Sequence, residues 1–349
     1  MANNRARQHN GPDRVTVELR NRGLPLAPLS TGPRVAPNHA RKRSSKREVS
    51  MRRSIVVFAG LAAAGSLALA GCAKNTPKSS TPTTSATVGA VNKDQAAADL
   101  LPAAVKSSGK LIVGINVPYA PNEYKDPSGK IIGWEVDLLN GLAKKLGVTP
   151  VLQESGFDNI IPSVKAGKFN IGMSSFTDNK TREAQVDFVN YYNAGIQWAA
   201  PAGKTVDPDN ACGLKVAVQT TTTEETEDLP AKSKACVAAG KKPITIIKID
   251  SQDQVNQSVI LGQADAFDAD SPITQYAVKQ SKGKLQLAGD IYGAAPYGLV
   301  VGKDAGTLKQ ALQKGLQSMM DDGTYKQILA KWGVEAGAIT QATLTGAQS

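Results

Sequence analysis

An α/β fold in two lobes is what the sequence predicts, and three observations predict it. From Leu111 onward short apolar runs alternate with segments of helical spacing, the alternation starts afresh after Pro201, and about 250 residues are shared between the two series. Residues 111–115 (LIVGI) form a continuous apolar run, as in a strand covered on both faces. Asp126-Pro127-Ser128-Gly129 reads as a turn, with proline second and glycine fourth. Leu138, Leu139, Leu142 and Leu146 recur at helical spacing, and Gly147 ends that helix. Val151-Leu152 reads as a strand, Ile160, Ile161 and Val164 mark a helix, and residues 169–173 form another strand. Beyond Pro201, residues 214–218 and 244–249 are expected strands, Val255 and Val259 carry a helix, and residues 264–267 are again a strand. Residues 298–301 give one more, followed by helices at 308–320 and 325–332.

The 349 residues carry a net charge of +11, which taken alone points to nucleic acid or an anionic membrane. The excess is confined to the start. Residues 1–50 hold 11 basic and 3 acidic side chains, Arg52 and Arg53 add two charges, and residues 73–349 are nearly balanced at 28 basic to 27 acidic. A nucleic-acid footprint needs Lys and Arg clustered within the folded domain, so no nucleic-acid partner is expected. Both histidines, His9 and His39, lie in the first 50 residues. That excludes a Ser-His-Asp or Cys-His nucleophile and a histidine-containing zinc site from the rest, and neither a metal nor a cofactor is expected. Of the 28 basic residues after position 72, all but Arg182 are lysines. Arginine differs in offering a planar fork that grips a carboxylate through two parallel hydrogen bonds.

Residues 51–71 read as a lipoprotein signal peptide. Met51-Arg52-Arg53 is a positive start, residues 55–64 an apolar core, and Leu69-Ala70-Gly71-Cys72 is similar to the lipobox whose cysteine is acylated before cleavage. Two acyl chains give stable membrane retention where one is marginal. The uncharged run 54–73 could instead span the bilayer as a signal anchor, at borderline length. Residues 1–50 are Arg-, Pro- and Asn-rich without apolar periodicity; they are expected to be disordered, with Met51 the true start, a genuine cytoplasmic leader being the alternative. Residues 72–94 are the lipidated cysteine and a flexible tether, since 75–90 contain 10 Ser, Thr or Pro in 16 positions. In such an oxidising compartment Cys212 and Cys236 are either a disulfide or two separate buried thiols, and no CxxC spacing supports a metal site.

From about Leu101 to Val334 the chain resembles the polar amino-acid-binding proteins of ABC importers, family 3 of the extracellular solute-binding proteins. The matching segments include GKLIVGINVPYAPNEYKDPSGKIIGWEVDLLNGLAKKLGV, GFDNIIPSVKAGKFNIGMSSFTDNKTREAQVDFVNYY, GLKVAVQTTTTEE, GQADAFDADSP and DDGTYKQILAKWGV. The resemblance implies a two-lobed type II periplasmic-binding-protein-like fold, with two mixed sheets flanked by helices and a ligand cleft between lobes. Lobe 1 is then expected at 95–200 and 296–349, and lobe 2 at 201–295, with hinge crossovers near Ala200 and Tyr297. It implies a monomeric binding protein and not an enzyme, with a small-molecule amino-acid ligand, ABC permease subunits as partners, and attachment to the outer face of the membrane through Cys72. An amino-acid-sensing receptor for a membrane signalling partner is the alternative, and a cleft dehydratase a more distant one.

The resemblance also assigns ligand-binding positions. Arg182 falls on the arginine that binds the ligand carboxylate, against the plainer role of a helix arginine pairing with Glu183 or Asp187. Thr177 matches a second carboxylate donor, and Ser175 a position that offers a carbonyl or hydroxyl to the ammonium. Asp270 matches the aspartate that pairs with the α-ammonium, although an aspartate there also suits a helix N-cap. Asp265 and Asp268 read as a polar strand face. Thr222 and Thr223 match a loop donating to the carboxylate from a helix N-terminus, where free N–H groups favour anions, but Thr221 to Glu225 also reads as a capping box. Thr221 stands where a glycine is common in the family. Tyr119 and Phe157 match apolar walls for the ligand side chain. Asn116 stands where the family often has an acidic residue, and Asn122 where an aromatic one is usual.

Overall fold

The computed structural model describes residues 91–345. The expectations for residues 1–50, the signal at 51–71, the lipidated Cys72 and the tether up to residue 90 fall outside that range. The first half of the chain gives α1 (Gln95–Ala98), α2 (Ala103–Ser108), β1 (Lys110–Ile115), the hairpin β2 (Tyr124–Lys125) and β3 (Ile131–Ile132), then α3 (Trp134–Leu146). β4 (Thr149–Glu154), α4 (Phe157–Lys165), β5 (Ile171–Gly172), α5 (Lys180–Glu183) and β6 (Asp187–Pro201) follow. The second half gives β7 (Lys215–Gln219), α6 (Leu229–Ala238), β8 (Thr245–Ile249), α7 (Gln252–Ile260), β9 (Ala266–Asp270) and α8 (Ser271–Gln280). β10 (Leu285–Val301), α9 (Leu308–Asp321), α10 (Thr324–Trp332) and β11 (Thr343–Leu344) complete it.

The apolar runs form strands because both faces of the sheet are covered. Leu111 and Val113 of β1 point into a core built with Leu138, Leu142 and Leu146 of α3 and Leu312, Leu316 and Met319 of α9. Ile112, between them, packs on the opposite side with Ile160 and Val164 of α4 and Phe169. The second lobe repeats this. Val216 and Val218 of β7 face a core with Trp198 and Leu229, while Ala217 faces Val255, Val259 and Phe267. Helix α3 ends at Gly147, whose φ of 68° suits glycine and whose N–H bonds the Ala143 carbonyl.

β6 and β10 differ most from expectation. At 15 and 17 residues they are long enough, at about 3.3 Å per residue, to run through both lobes. The two expected lobe sheets are therefore joined into one sheet, ordered β4-β1-β5-β10-β6-β9-β7-β8, with β11 also on β6. β11 pairs with β6 at Val189 and Asn190, whereas β9 pairs with it from Ile196 to Ala199. The β6–β10 ladder shifts register between Ala288 and Tyr292, between Tyr292 and Ala295, and again after Tyr297. Ala200 lies opposite Gln286 and Tyr297 opposite Tyr192. At Gly195, where the first two shifts cluster, an added Cβ would sit 2.5 Å from Ile291 Cγ2 and 2.7 Å from the Tyr292 carbonyl oxygen. Cys212, just before β7, is disulfide-bonded to Cys236 on α6. No described helix is long and apolar enough to cross a membrane.

Candidate functional site

Arg182 owes its place to a short helix held at its start. The Asn179 side chain accepts the Arg182 backbone N–H at 2.9 Å, capping α5. The guanidinium then turns inward and is buried. Its Nη1 donates to the Thr177 carbonyl at 2.8 Å and its Nη2 to the Thr221 carbonyl at 3.1 Å. Phe157 and Phe176, stacked on each other with centroids 4.5 Å apart, each present a ring within 5.6 Å of the guanidinium carbon. It forms no ion pair among the described residues; Asp187, one of the partners considered, instead holds Lys303 and Lys309. Burial lowers the Arg182 pKa, opposed by the nearby charges of Glu224 and Asp270. A guanidinium anchored through two of its five donors keeps others for an incoming anion.

Asp270 is the last residue of β9 and precedes α8, but its side chain does not cap that helix. Its Oδ2 accepts the Tyr119 hydroxyl at 2.5 Å instead. Burial, and next the charge of Glu224, push its pKa well above the usual carboxylate range. Asp265 lies apart, held by Lys204 and the Lys215 backbone N–H. Asp268 corrects the expectation of a polar strand face, because it is fully buried.

One cavity collects these groups: Asn116, Tyr119, Phe157, Ser175, Thr177, Arg182, Thr222, Thr223 and Asp270 all line it. Every binding residue singled out in the sequence is thus in one place, although the residues come from six separate stretches of chain. The two halves meet around it through Arg182 to Thr221, Tyr119 to Asp270, Gln219 to Asn116 at 3.0 Å, and Asn179 to Glu227 at 2.7 Å.

The family model for bacterial extracellular solute-binding proteins, family 3, matches residues 111–335. The chain belongs to this family. The solute-binding protein is 42% identical over 247 residues to the arginine-binding protein ArgT of Corynebacterium glutamicum, covering 70% of this chain and 81% of that one. Its fold is similar to that of an ancestral arginine-binding protein bound to arginine, with a TM-score of 0.59 and 31% identity over 64% of this chain and 98% of that one. It is also similar to an ancestral amino acid-binding protein that is a precursor of cyclohexadienyl dehydratase, with a TM-score of 0.58 and 30% identity over 66% and 97% of the two chains.

Beneath the cavity lies a layer of buried polar groups that the sequence did not disclose. Glu135 accepts the Ser175 hydroxyl at 2.8 Å, the Ser175 backbone N–H at 3.1 Å and the Tyr191 hydroxyl at 2.8 Å. Asn122 donates to the same Ser175 hydroxyl at 2.7 Å and accepts the Trp134 indole N–H at 2.6 Å. The Ser175 hydroxyl is thereby engaged by two side chains. Ser174 donates to Glu123 at 2.6 Å, and burial with the neighbouring Glu135 drives the Glu123 pKa well above its ordinary value. Thr222 donates to the Gln219 carbonyl and accepts the Glu225 N–H, while Glu225 reaches back to the Thr221 N–H. The capping-box reading is met in part, shifted by one residue. Ser174, Gln219 and Glu224 also line the cavity and were missed. Gln219 ends a strand run without any signal of its own, and Glu224 was hidden beside Glu225 in the run read as a capping box.

Proposed function

We propose that the chain is an extracytoplasmic receptor that captures a polar L-amino acid between its lobes and delivers it to an ABC permease, tethered to the membrane through lipidated Cys72. One observation carries the reading: Arg182 and Asp270, from opposite halves of the fold, line the same cavity. A free amino acid entering a dry cleft needs both its charges met, and a guanidinium and a carboxylate across that cavity meet them. Thr177 and the backbone near Thr222 and Thr223 assist at the carboxylate, the Ser175 carbonyl at the ammonium, and Tyr119, Phe157 and Asn116 contact the side chain. The family match and the arginine-binding relatives support an amino-acid ligand, with L-arginine the first to test. The role is binding and not turnover.

The lobes expected at 95–200 with 296–349 and at 201–295 close by bending near Gly195 and at 289–295, where the β6–β10 register breaks, so residues 196–200, which pack in the second core, move with lobe 2. Ligand favours closure only through its preference for the closed form. The test is a thermal-shift screen of the full chain against the twenty L-amino acids. A ligand present at 100 times its Kd adds about 2.7 kcal/mol, a rise of about 5–10 °C for a domain of this size. At least one polar L-amino acid should give such a shift; none doing so at millimolar concentration contradicts the reading. Loss of uptake of that amino acid in a deletion strain tests the permease step.

A further inference from the structure

The acidic and basic groups lining the cavity do not match in number, and the mismatch has a direction. Its ionisable lining groups, tyrosine aside, are Arg182, Asp270 and Glu224. One guanidinium therefore faces two carboxyl groups, and burial raises the pKa of both. A zwitterion with a neutral side chain uses Arg182 and Asp270 and leaves the second carboxyl group without a charged partner. A ligand carrying one further cation supplies that partner.

Glu224 is placed to be the surplus group. It is 1% exposed, opens the π-helical turn Glu224–Asp228, and forms no ion pair among the described residues. Its Oε2 accepts the Thr223 hydroxyl at a long 3.3 Å, and its Oε1 is buried without a hydrogen-bond partner among the described residues. The adjacent Glu225 behaves differently: it pairs with Lys248 and bonds the Thr221 N–H. Across the cavity Asn116 supplies no charge, and its amide is committed, donating to the Ser155 carbonyl at 2.8 Å and accepting from Gln219. Without a cation beside it, burial favours the protonated form of Glu224, and a cationic group that reaches it draws the proton off and pairs with the carboxylate.

We propose that Glu224 selects ligands with a cationic side chain, making the cavity a site for basic L-amino acids. This rests on the cavity being the amino-acid site, with the α-carboxylate at Arg182 and the α-ammonium at Asp270. Selection of this kind acts on the difference between two ligands more than on either affinity alone.

The experiment is calorimetric titration of the full chain, in detergent, with L-arginine and with L-citrulline, which matches arginine in shape but is uncharged at its end. The unaltered protein should bind arginine about 100-fold more tightly than citrulline. In Glu224→Gln, with folding checked by its melting curve, the ratio should fall to within about threefold, chiefly by loss of arginine affinity. Glu224→Asp should keep a preference of at least tenfold. Equal loss for both ligands would overturn the proposal and make Glu224 a partner of the backbone groups they share. Citrulline binding as tightly as arginine to the unaltered protein would overturn it too. Should a neutral amino acid bind tightly through Arg182 and Asp270, this proposal fails while the amino-acid receptor stands; should no amino acid bind, the receptor reading fails first.

Discussion

Arg182→Lys keeps the charge and removes the fork, so it isolates what geometry contributes. In the structure two guanidinium nitrogens are spent on the Thr177 and Thr221 carbonyls, and the plane lies against Phe157 and Phe176. Lysine has one ammonium that cannot hold both carbonyls and still present two parallel donors to a carboxylate. Losing one charge-assisted hydrogen bond to the ligand costs about 1.5–3 kcal/mol, and a poorer cation–π contact adds about 0.5–1 kcal/mol. The expected loss is about 2–4 kcal/mol, or about 30- to 900-fold in Kd. The assay is isothermal titration well below the melting temperature, with the melting temperature recorded alongside, because the Thr177 and Thr221 carbonyls also lose donors. The α-carboxylate is common to all amino acids, so every ligand that binds should lose affinity by a similar factor. Affinity unchanged within twofold, or a loss confined to one side-chain type, would refute the placement of Arg182 at the carboxylate.

Thr221 holds a φ of 62°, a left-handed conformation that a β-branched residue adopts at a cost of about 1–2 kcal/mol. Thr221→Gly relieves it but adds about 0.5–1 kcal/mol of backbone entropy, so urea unfolding should report a small net gain in stability; a loss would contradict the strain. Asp268 is buried, and burial, Glu224 and Asp228 push its pKa well above the carboxylate range. The folded state then holds this proton while the unfolded chain releases it above about pH 4, so stability drains away as pH rises toward the folded pKa. In Asp268→Asn the melting temperature should therefore fall less steeply from pH 5 to 8 than in the unaltered protein, and parallel profiles would contradict this. The Cys212–Cys236 bond closes a loop of sequence separation 24, worth about 3 kcal/mol in the chain-entropy account. Replacing both cysteines by serine should lower unfolding free energy by about that much, measured by denaturant titration.

Local chemistry was legible where one residue type has one use. Gly147 stops α3 with a positive φ, and the Pro127–Gly129 turn joins β2 to β3. Arg182 was legible through its rarity among lysines. What escaped were features set by tertiary context. Residues 187–201 carry Asn190, Asn193 and Gly195 and show no clean alternation, yet form one continuous strand because both faces are buried and neighbours lie on each side. Residues 285–297 carry Gly289, Gly293 and Pro296 and lie outside the strand expected at 298–301, but β10 absorbs them by shifting register. The expected strand 169–173 shrinks to Ile171–Gly172, flanked by buried Phe169 and Met173. Glu224 and Glu225 are neighbours of the same type, and only the path of the π-helical turn decides that the first faces the cavity and the second pairs with Lys248.

The most direct measurement is a crystal structure of the protein grown with L-arginine. The account predicts an amino acid in the cavity, its α-carboxylate within about 3.2 Å of Arg182 nitrogens and its α-ammonium equally close to Asp270. A ligand seated elsewhere, or one in this cavity that leaves both Arg182 and Asp270 unengaged, would contradict it.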